Sequence, residues 1–285
     1  MQIRKVLGYG AMLAGLLMPV TASANQPQDW MLAAGKPGTF VNLDAVFGAF
    51  QAGLEHRLNM FGNANQLTLR GSAIAAIPFG STQIDADLRI LVLTLGTSVG
   101  ASDVWHNQTF DVTQTDLTRK ARRERESSGQ TNSMTFGFWE GRVTLSLPFN
   151  DYVLFNSPHA FRVTGARARS FDNLIGVVHD GNYYRGEFQL FFKHPDVGGI
   201  APVVQVLNFP LDNGPLDNAR RTQVNYGFTF VSRAGLVRRN DLILFSLLFH
   251  PGGELGGYDN RQVYGMAVLR GPMQFTFVYR SVINL

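Results

Sequence analysis

The chain has 285 residues, of which 45% are hydrophobic and only 16% are charged, well below the ~25% of ordinary soluble domains. A formal net charge of +4 is small for a nucleic-acid-binding surface, so we expect no nucleic-acid partner. Because the chain has no cysteine, disulfides, thiolate catalysis and cysteine-based zinc sites are excluded.

The first 24 residues have the pattern of a secretory signal peptide. Arg4 and Lys5 give a positive start, residues 6–20 are apolar, and Ala22-Ser23-Ala24 supplies small residues for cleavage. This apolar stretch is shorter than the ~20 residues that a transmembrane helix needs. We therefore predict a signal peptide over residues 1–24, a periplasmic N-terminal segment over 25–38, and a single domain over 39–285.

The beginning of this domain allows two interpretations. Apolar residues fall on one parity over 41–47 and on the other parity over 54–60, which predicts two strands with a break near Phe50-Gln51. The same stretch also places apolar residues along one face of a helix, so a helical alternative stays open. No glycine or proline marks the predicted break.

Regular alternation of apolar and polar residues follows. In residues 66–77 the apolar face is opposed by Gln66, Thr68, Arg70 and Ser72, and in residues 83–92 by Gln83, Asp85, Asp87 and Arg89. Successive side chains of a strand point to opposite faces, so each block predicts a half-buried strand. We predict turns at residues 79–82 and 100–103.

The same alternation recurs over 139–149, 184–193 and 221–233, with a tight turn at Asn150-Asp151. Four polar insertions separate the later blocks, at residues 120–132, 168–181, 210–220 and 251–261. All four lie on one side of a sheet if residues 40–61 form two strands and residues 262–284 form one. Pro272 interrupts this last stretch, and a turn there would change the count by one.

The C-terminal block keeps one parity to the end of the chain, with Phe275, Phe277, Tyr279 and the terminal Leu285 in phase. It resembles the terminal strand of Gram-negative outer-membrane β-barrel proteins, although members of that class usually end in phenylalanine. The resemblance implies a location in the cell outer membrane. It also implies contact with outer-membrane lipid and lipopolysaccharide, and assembly by the barrel-assembly machinery.

We therefore expect an all-β fold, a closed antiparallel transmembrane β-barrel of about 12 strands, within a range of 10–14. The apolar faces are rich in aromatic residues, as a lipid-facing band requires. The barrel has to be closed because unpaired backbone groups at an open edge are too costly in lipid. The oligomeric state is left open.

The opposite faces carry charges in the middle of strands, which we place in the lumen. The predicted basic residues there are Arg57, Arg70, Arg89, Arg142, Arg162, Arg185, Lys193, Arg221, Arg233, Arg270 and Arg280. The predicted acidic residues are Glu55, Asp85, Asp87, Glu140 and Glu187. This surplus of basic residues predicts either an anion-preferring pore or arginines that pair across strands and fill a closed lumen.

Three functional hypotheses follow. The first is a passive channel for small solutes that prefers anions, and the second is a structural or binding barrel with a plugged lumen that acts through its external loops. The third and least favoured is a membrane-embedded hydrolase, because we find no convincing Ser/His arrangement at the spacing of the outer-membrane phospholipases and lipid A deacylases. We therefore predict no catalytic residues.

Other motifs are weak. The scattered histidines lack metal-ligand spacing, so we expect no metal and no cofactor. His179-Asp180 is a possible water-orienting pair at the barrel rim. The charge run over residues 120–126 is either a loop that binds lipopolysaccharide phosphates or, as we favour, a solvated mixed-charge loop.

Overall fold

The chain forms a closed, 12-stranded, antiparallel β-barrel. The structure is a computed structural model, and it describes residues 37–46, 49–60, 65–76, 79–111, 128, 132–166, 170–172, 177–179, 181–194, 198–210, 220–233, 242–249 and 273–285. The predicted signal peptide and nearly all of the predicted periplasmic segment lie outside these residues.

Twelve strands build the wall and two short strands lie outside it. The wall strands are β1 (Gly38–Val46), β2 (Ala49–Asn59), β3 (Asn65–Ala76), β4 (Phe79–Ile90), β5 (Leu93–Asp111), β6 (Asn132–Pro148), β7 (Val153–Ala166), β10 (Gly181–His194), β11 (Gly198–Pro210), β12 (Arg220–Arg233), β13 (Leu242–Phe249) and β14 (Met273–Asn284). The short strands β8 (Ser170–Asp172) and β9 (Val177–His179) form a hairpin that pairs with the end of β5.

Each wall strand pairs with its neighbours in sequence, and β14 returns to pair with β1, which closes the barrel. Closure gives the backbone groups of the wall strands a partner strand on both sides. The described part of the chain contains no helix with the length and apolar character that a membrane-spanning helix needs.

The connections between wall strands differ at the two ends of the barrel. Residues 112–131, 167–180, 211–219 and 250–272 join strands at one end, which we call the long-loop end and which also holds the short connections 47–48 and 77–78. Residues 60–64, 91–92, 149–152, 195–197 and 234–241 join strands at the other, the short-turn end. The start of β1 and the end of β14 both lie at the short-turn end, as the predicted insertions required.

Several predicted boundaries were wrong. Residues 40–61 do form two strands rather than a helix, but the break falls between Val46 and Ala49 instead of at Phe50-Gln51. Phe79 begins β4, so no turn occupies residues 79–82. The turn at Asn150-Asp151 is confirmed between β6 and β7, whereas the segment around Pro272 lies outside the described residues.

The turn predicted at residues 100–103 was also wrong, because β5 runs straight through it. Gly100 is needed there for space rather than for a turn. A Cβ at this position would lie 2.5 Å from Cζ of Phe138 and 2.5 Å from the carbonyl oxygen of Thr82. The glycine lets the Phe138 ring enter the barrel, so it is a packing feature of the strand interior.

The two faces of the barrel wall are chemically distinct. Large apolar side chains are exposed on the outer face, including Leu54, Ile84, Val99, Phe188 and Tyr226. The lumen face carries most of the buried polar side chains, such as Asn42, Gln66 and Asn156. This arrangement is the inverse of a soluble protein, in which apolar groups turn inward, and it is typical of a lipid-facing barrel.

The lumen is not polar throughout. Leu154, Phe191, Ala201, Val203, Val231 and Leu242 form an apolar cluster with Leu248. All but Leu248 lie near the short-turn ends of β7 and β10–β13, and Phe191 is fully buried. We call this cluster the apolar layer, and its buried side chains occupy the lumen at the short-turn end.

Candidate functional site: the charged lumen

Asp85 on β4 is the centre of the largest polar cluster in the lumen. Its carboxylate accepts hydrogen bonds from Arg70 Nη2 at 2.8 Å, Ser98 Oγ at 2.5 Å and Arg142 Nη1 at 3.1 Å. These partners come from three different strands, β3, β5 and β6. Asp85 is 1% exposed, so the charge is compensated by specific partners rather than by bulk water.

Arg142 on β6 extends this cluster to two further acids. Its Nη2 donates to Asp87 Oδ1 at 2.9 Å and its Nη1 lies 3.4 Å from Glu140 Oε1. Gly96 makes room for this contact, because a Cβ there would lie 2.0 Å from Asp87 Oδ1. A single buried guanidinium thus bonds with three carboxylates and joins β4 to β6.

Glu140 carries the network on to β7. Arg162 Nε donates to Glu140 Oε2 at 2.8 Å, and the Arg162 guanidinium lies 4.3 Å from the centre of the Phe138 ring. Arginine suits this position because its planar group can bond to a carboxylate and stack on an aromatic ring at once. The guanidinium is therefore held at a fixed point of the lumen wall.

The neighbouring part of the wall, on β10–β12, is held mainly by amide groups. Gln189 Nε2 and Gln205 Nε2 donate to the two carboxylate oxygens of Glu187, at 2.7 Å and 3.0 Å. Asn156 and Asn225 continue this chain of hydrogen bonds to the neighbouring strands, at 3.0 Å and 2.8 Å. One buried carboxylate is thereby bonded to neutral donors on two adjacent strands.

A third group lies at the seam between the first and last strands. Arg280 forms an ion pair with Asp44, whose register partner it is. Arg57 pairs with Glu55, which also accepts a hydrogen bond from Asn42 at 3.1 Å. Asp44 was missing from the predicted lumen residues, and its presence reduces the predicted basic surplus.

The other predicted lumen residues take varied positions. Arg89 Nε donates to the carbonyl oxygen of Leu91 at 3.3 Å at the short-turn end, and Arg185 lies 3.9 Å from Glu187. Lys193 is half-buried on the same face of β10. The side chains of Arg221 and Arg233 on β12, and all of Arg270, lie outside the described residues.

The basic and acidic side chains that the structure describes in the lumen are nearly equal in number. The basic side chains are Arg57, Arg70, Arg89, Arg142, Arg162, Arg185, Lys193 and Arg280, eight in all. The acidic side chains are Asp44, Glu55, Asp85, Asp87, Glu140 and Glu187, six in all. The surplus in this part of the lumen is therefore two.

A small cavity of about 20 Å³ opens beside this network, toward the long-loop end. Its walls combine hydroxyl and amide groups with one aromatic ring and one cation, contributed by Gln51, Ser72, Ile74, Ser81, Gln83, Ser102, Phe138 and Arg162. Oε1 of Gln51 is buried without a hydrogen-bond partner. Such an unsatisfied acceptor favours a site that takes a polar molecule.

The predicted terminal-strand residues lie on the expected face. Val278 and Arg280 are buried in the lumen. Phe277 and Tyr279 have the opposite parity, so they face outward, where both are half-buried. Phe275 shares their parity, and Leu285 is exposed at the short-turn end. The charge run over residues 120–126 lies outside the described residues. So do Asp180 and the side chain of His179, which form the predicted water-orienting pair.

One polar arrangement on the outer face was not found from the sequence. Ser157 Oγ lies 2.9 Å from His159 Nε2, and His159 Nδ1 lies 2.8 Å from Tyr184 Oη. The first two residues are adjacent on one face of β7, a spacing that the sequence shows. The third comes from β10 and becomes visible only with the strand register.

Among the described residues, no group of three or more His, Asp or Glu side chains could hold a metal ion.

Comparison with known proteins gives a limited result. No family model and no curated protein matches the chain. Similar solved structures include the KdgM porin, at 7% identity and a TM-score of 0.36 over 86% of this chain and 95% of that one. LpxR from Salmonella typhimurium has 7% identity and a TM-score of 0.39, over 87% and 99%.

The Pseudomonas putida toluene transporter TodX is similar at 10% identity and a TM-score of 0.36, over 91% of each chain. Similarities of this size do not indicate a function.

Proposed function

We propose that this chain is an outer-membrane β-barrel and that it passes small polar solutes, with a preference for anions. The outward apolar face supports the membrane location. Soluble proteins rarely expose a continuous apolar surface with so many leucine, valine and phenylalanine side chains. The long-loop end is then external and the short-turn end periplasmic.

The observation that carries the solute path is the pocket at the long-loop end. It presents hydroxyl and amide groups, an unsatisfied buried Gln51 acceptor and the fixed Arg162 guanidinium. The chemistry of these groups matches a small solute with hydroxyl groups and a negative charge, and lining side chains have to move for a solute larger than water to enter. Below the pocket, such a solute has to pass the cluster around Asp85 and Arg142.

The apolar layer favours a second candidate, a barrel that is plugged at the short-turn end. Phe191 is fully buried there among aliphatic side chains, and no charge in the described residues of this layer would attract an ion. In this case the long-loop end binds its ligand without passing it on.

Planar-bilayer recordings test the proposal and separate the two candidates. The wild-type barrel should conduct ions. Under a salt gradient, its reversal potential should have the sign expected for a pore that is more permeable to anions than to cations. Arg162→Gln, which removes one lumen cation, and Gln83→Glu, which adds an anion to the same pocket, should each shift the reversal potential toward cations. Conductance without anion preference contradicts the selectivity, and absence of conductance in a folded barrel favours the plugged candidate.

The membrane location needs a separate measurement. The chain should be recovered in the outer-membrane fraction and should migrate differently on gels before and after boiling, as a folded barrel does. Recovery in the soluble periplasm would contradict the location itself, whatever the conductance.

A further inference from the structure

Three polar side chains lie together on the outer face of the barrel, where His159 and Tyr184 are half-buried and Ser157 beside them is 4% exposed. Ser157 and His159 stand two residues apart on β7, and Tyr184 stands on β10. Parity fixes the face, because Asn156 on β7 and Glu187 on β10 are buried in the lumen and residues of the opposite parity point outward. Polar groups on such a surface are costly unless they are satisfied.

The three residues form one continuous chain of hydrogen bonds. Ser157 Oγ is 2.9 Å from Nε2 of His159, and Nδ1 of the same ring is 2.8 Å from Tyr184 Oη. This is the order of a hydroxyl nucleophile, a general base and a group that orients the base. If Nδ1–H donates to Tyr184, Nε2 is the acceptor for the serine hydroxyl proton.

Gly186 is required for this geometry. It pairs directly with His159 across the two strands. A Cβ on it would lie 2.5 Å from Tyr184 Oη and 2.8 Å from His159 Nδ1, between the two bonded atoms. Any side chain at position 186 would therefore collide with the two atoms of the hydrogen bond between His159 and Tyr184, and only glycine avoids this collision.

The local backbone is also unusual. The residue pairing between β7 and β10 is interrupted between the pair His159–Gly186 and the pair Asn156–Gln189. The interruption contains Ser157 and Pro158, and proline has no N–H to contribute to a ladder. On β10 it contains Phe188, whose ring packs edge-on against His159 with 5.5 Å between centroids.

We propose that Ser157, His159 and Tyr184 form a lipid-facing hydrolytic site that cleaves an acyl ester of a membrane lipid. Ser157 is the nucleophile, His159 the general base and acid, and Tyr184 a positioning residue. The substrate class follows from the place of the site, since side chains of this parity point toward lipid and not toward the solutes of the lumen. Ser157 is 4% exposed, so an ester reaches it when the side chains that cover it move aside. The inference rests on the proposed membrane location but not on conduction.

The reaction balances with water as the second reactant. Ser157 Oγ attacks the ester carbonyl carbon while its proton passes to His159 Nε2. The ester C–O bond then breaks, the proton moves from Nε2 to the departing alcohol oxygen, and the acyl group stays on the serine. Water, deprotonated by the same nitrogen, releases the fatty acid and restores the hydroxyl.

Position along β7 selects between two lipid sources. Ser157 is the fifth residue of a 14-residue strand that begins at the short-turn end. At ~3.4 Å per residue it lies about 10–13 Å from that end. This is the half of the barrel in the periplasmic leaflet, so the ester of a glycerophospholipid is favoured over an acyl chain of lipopolysaccharide.

The test uses the full barrel refolded in vesicles of phosphatidylethanolamine and phosphatidylglycerol, with and without added lipopolysaccharide. Fatty-acid release is measured, and a fluorophosphonate probe reports covalent modification of serine. We expect release from the phospholipids, a probe adduct on the peptide that contains Ser157, and loss of both in Ser157→Ala. Ser281→Ala, which changes another outward-facing serine on β14, should keep both.

Two further variants separate positioning from mere folding. Tyr184→Phe and Gly186→Ala should lower kcat at least tenfold with little change in KM, while the barrel keeps its heat-modifiable gel mobility. The proposal is overturned if a folded barrel gives no probe adduct on Ser157 and no fatty acid. Release that persists in Ser157→Ala also overturns it, and release confined to lipopolysaccharide overturns the phospholipid assignment.

Discussion

Arg280 on the last strand and Asp44 on the first strand form an ion pair across the seam that closes the barrel, with Arg280 Nη2 2.5 Å from Asp44 Oδ2. Both residues are 2% exposed. Their sequence separation is 236 residues, so the pair forms only when the two ends of the chain meet. It marks the register in which the seam closes.

Asp44→Ala should destabilise the barrel by about 3–5 kcal/mol, because it removes the carboxylate from a buried guanidinium. Urea unfolding followed by tryptophan fluorescence in detergent micelles measures the change. The double variant Asp44→Leu with Arg280→Met, which removes both charges, should recover part of the loss. A cost below about 1 kcal/mol for the single variant would mean that the pair does not hold the seam.

The strands and the faces of their side chains could be predicted, because apolar and polar residues alternate with a period of two along the sequence. Alternation identified the lumen positions of Asp85, Asp87 and Arg142 before any strand was placed. Asp44 was missed because it stands within an apolar stretch, between Leu43 and Ala45, where a single acid does not form a pattern.

The partners of these residues could not be predicted, because pairing depends on the register between distant strands. Asp85 and Arg142 are 57 residues apart, and their contact follows from how β4, β5 and β6 align. Tyr184 was invisible as a partner of His159 for the same reason. Gly100 was misread because glycine serves both turns and close packing, and only the neighbouring Phe138 ring shows which one applies.

Phe277 on the last strand should be sensitive to charge, because it faces outward next to the lumen residue Val278. Phe277→Asp places a carboxylate in the apolar band, at a cost of up to a few kcal/mol depending on depth. Assembly in cells and unfolding in vesicles are the measurements, with Phe277→Leu as the control that keeps an apolar side chain. Equal assembly of both variants would contradict the assigned facing.

Two glycines offer a matched comparison of backbone crowding. At Gly227 a Cβ would lie 1.9 Å from the carbonyl oxygen of Leu247, whereas at Gly71 it would meet nothing within 4 Å. Gly227→Ala should therefore cost about 1–3 kcal/mol through strain that the rigid backbone cannot relieve. Gly71→Ala should be neutral or slightly stabilising, since it reduces the freedom of the unfolded chain. Equal unfolding midpoints for the two variants would contradict the packing at Gly227.

The last prediction concerns the apolar layer, and two adjacent phenylalanines on β10 make it specific. Phe191 points into the lumen and is fully buried, whereas Phe192 is on the outer face and is 49% exposed. Phe191→Ala removes the largest side chain from the layer that occupies the lumen at the short-turn end, so single-channel conductance should rise severalfold. Phe192→Ala removes the same atoms from the lipid side and should leave conductance at the wild-type value. Phe191→Ala should also lower stability by about 3–5 kcal/mol, which urea unfolding measures alongside. If the two variants conduct equally while both remain folded, the apolar layer is not the barrier, and resistance to flow lies instead in the ion-paired cluster around Asp85 and Arg142.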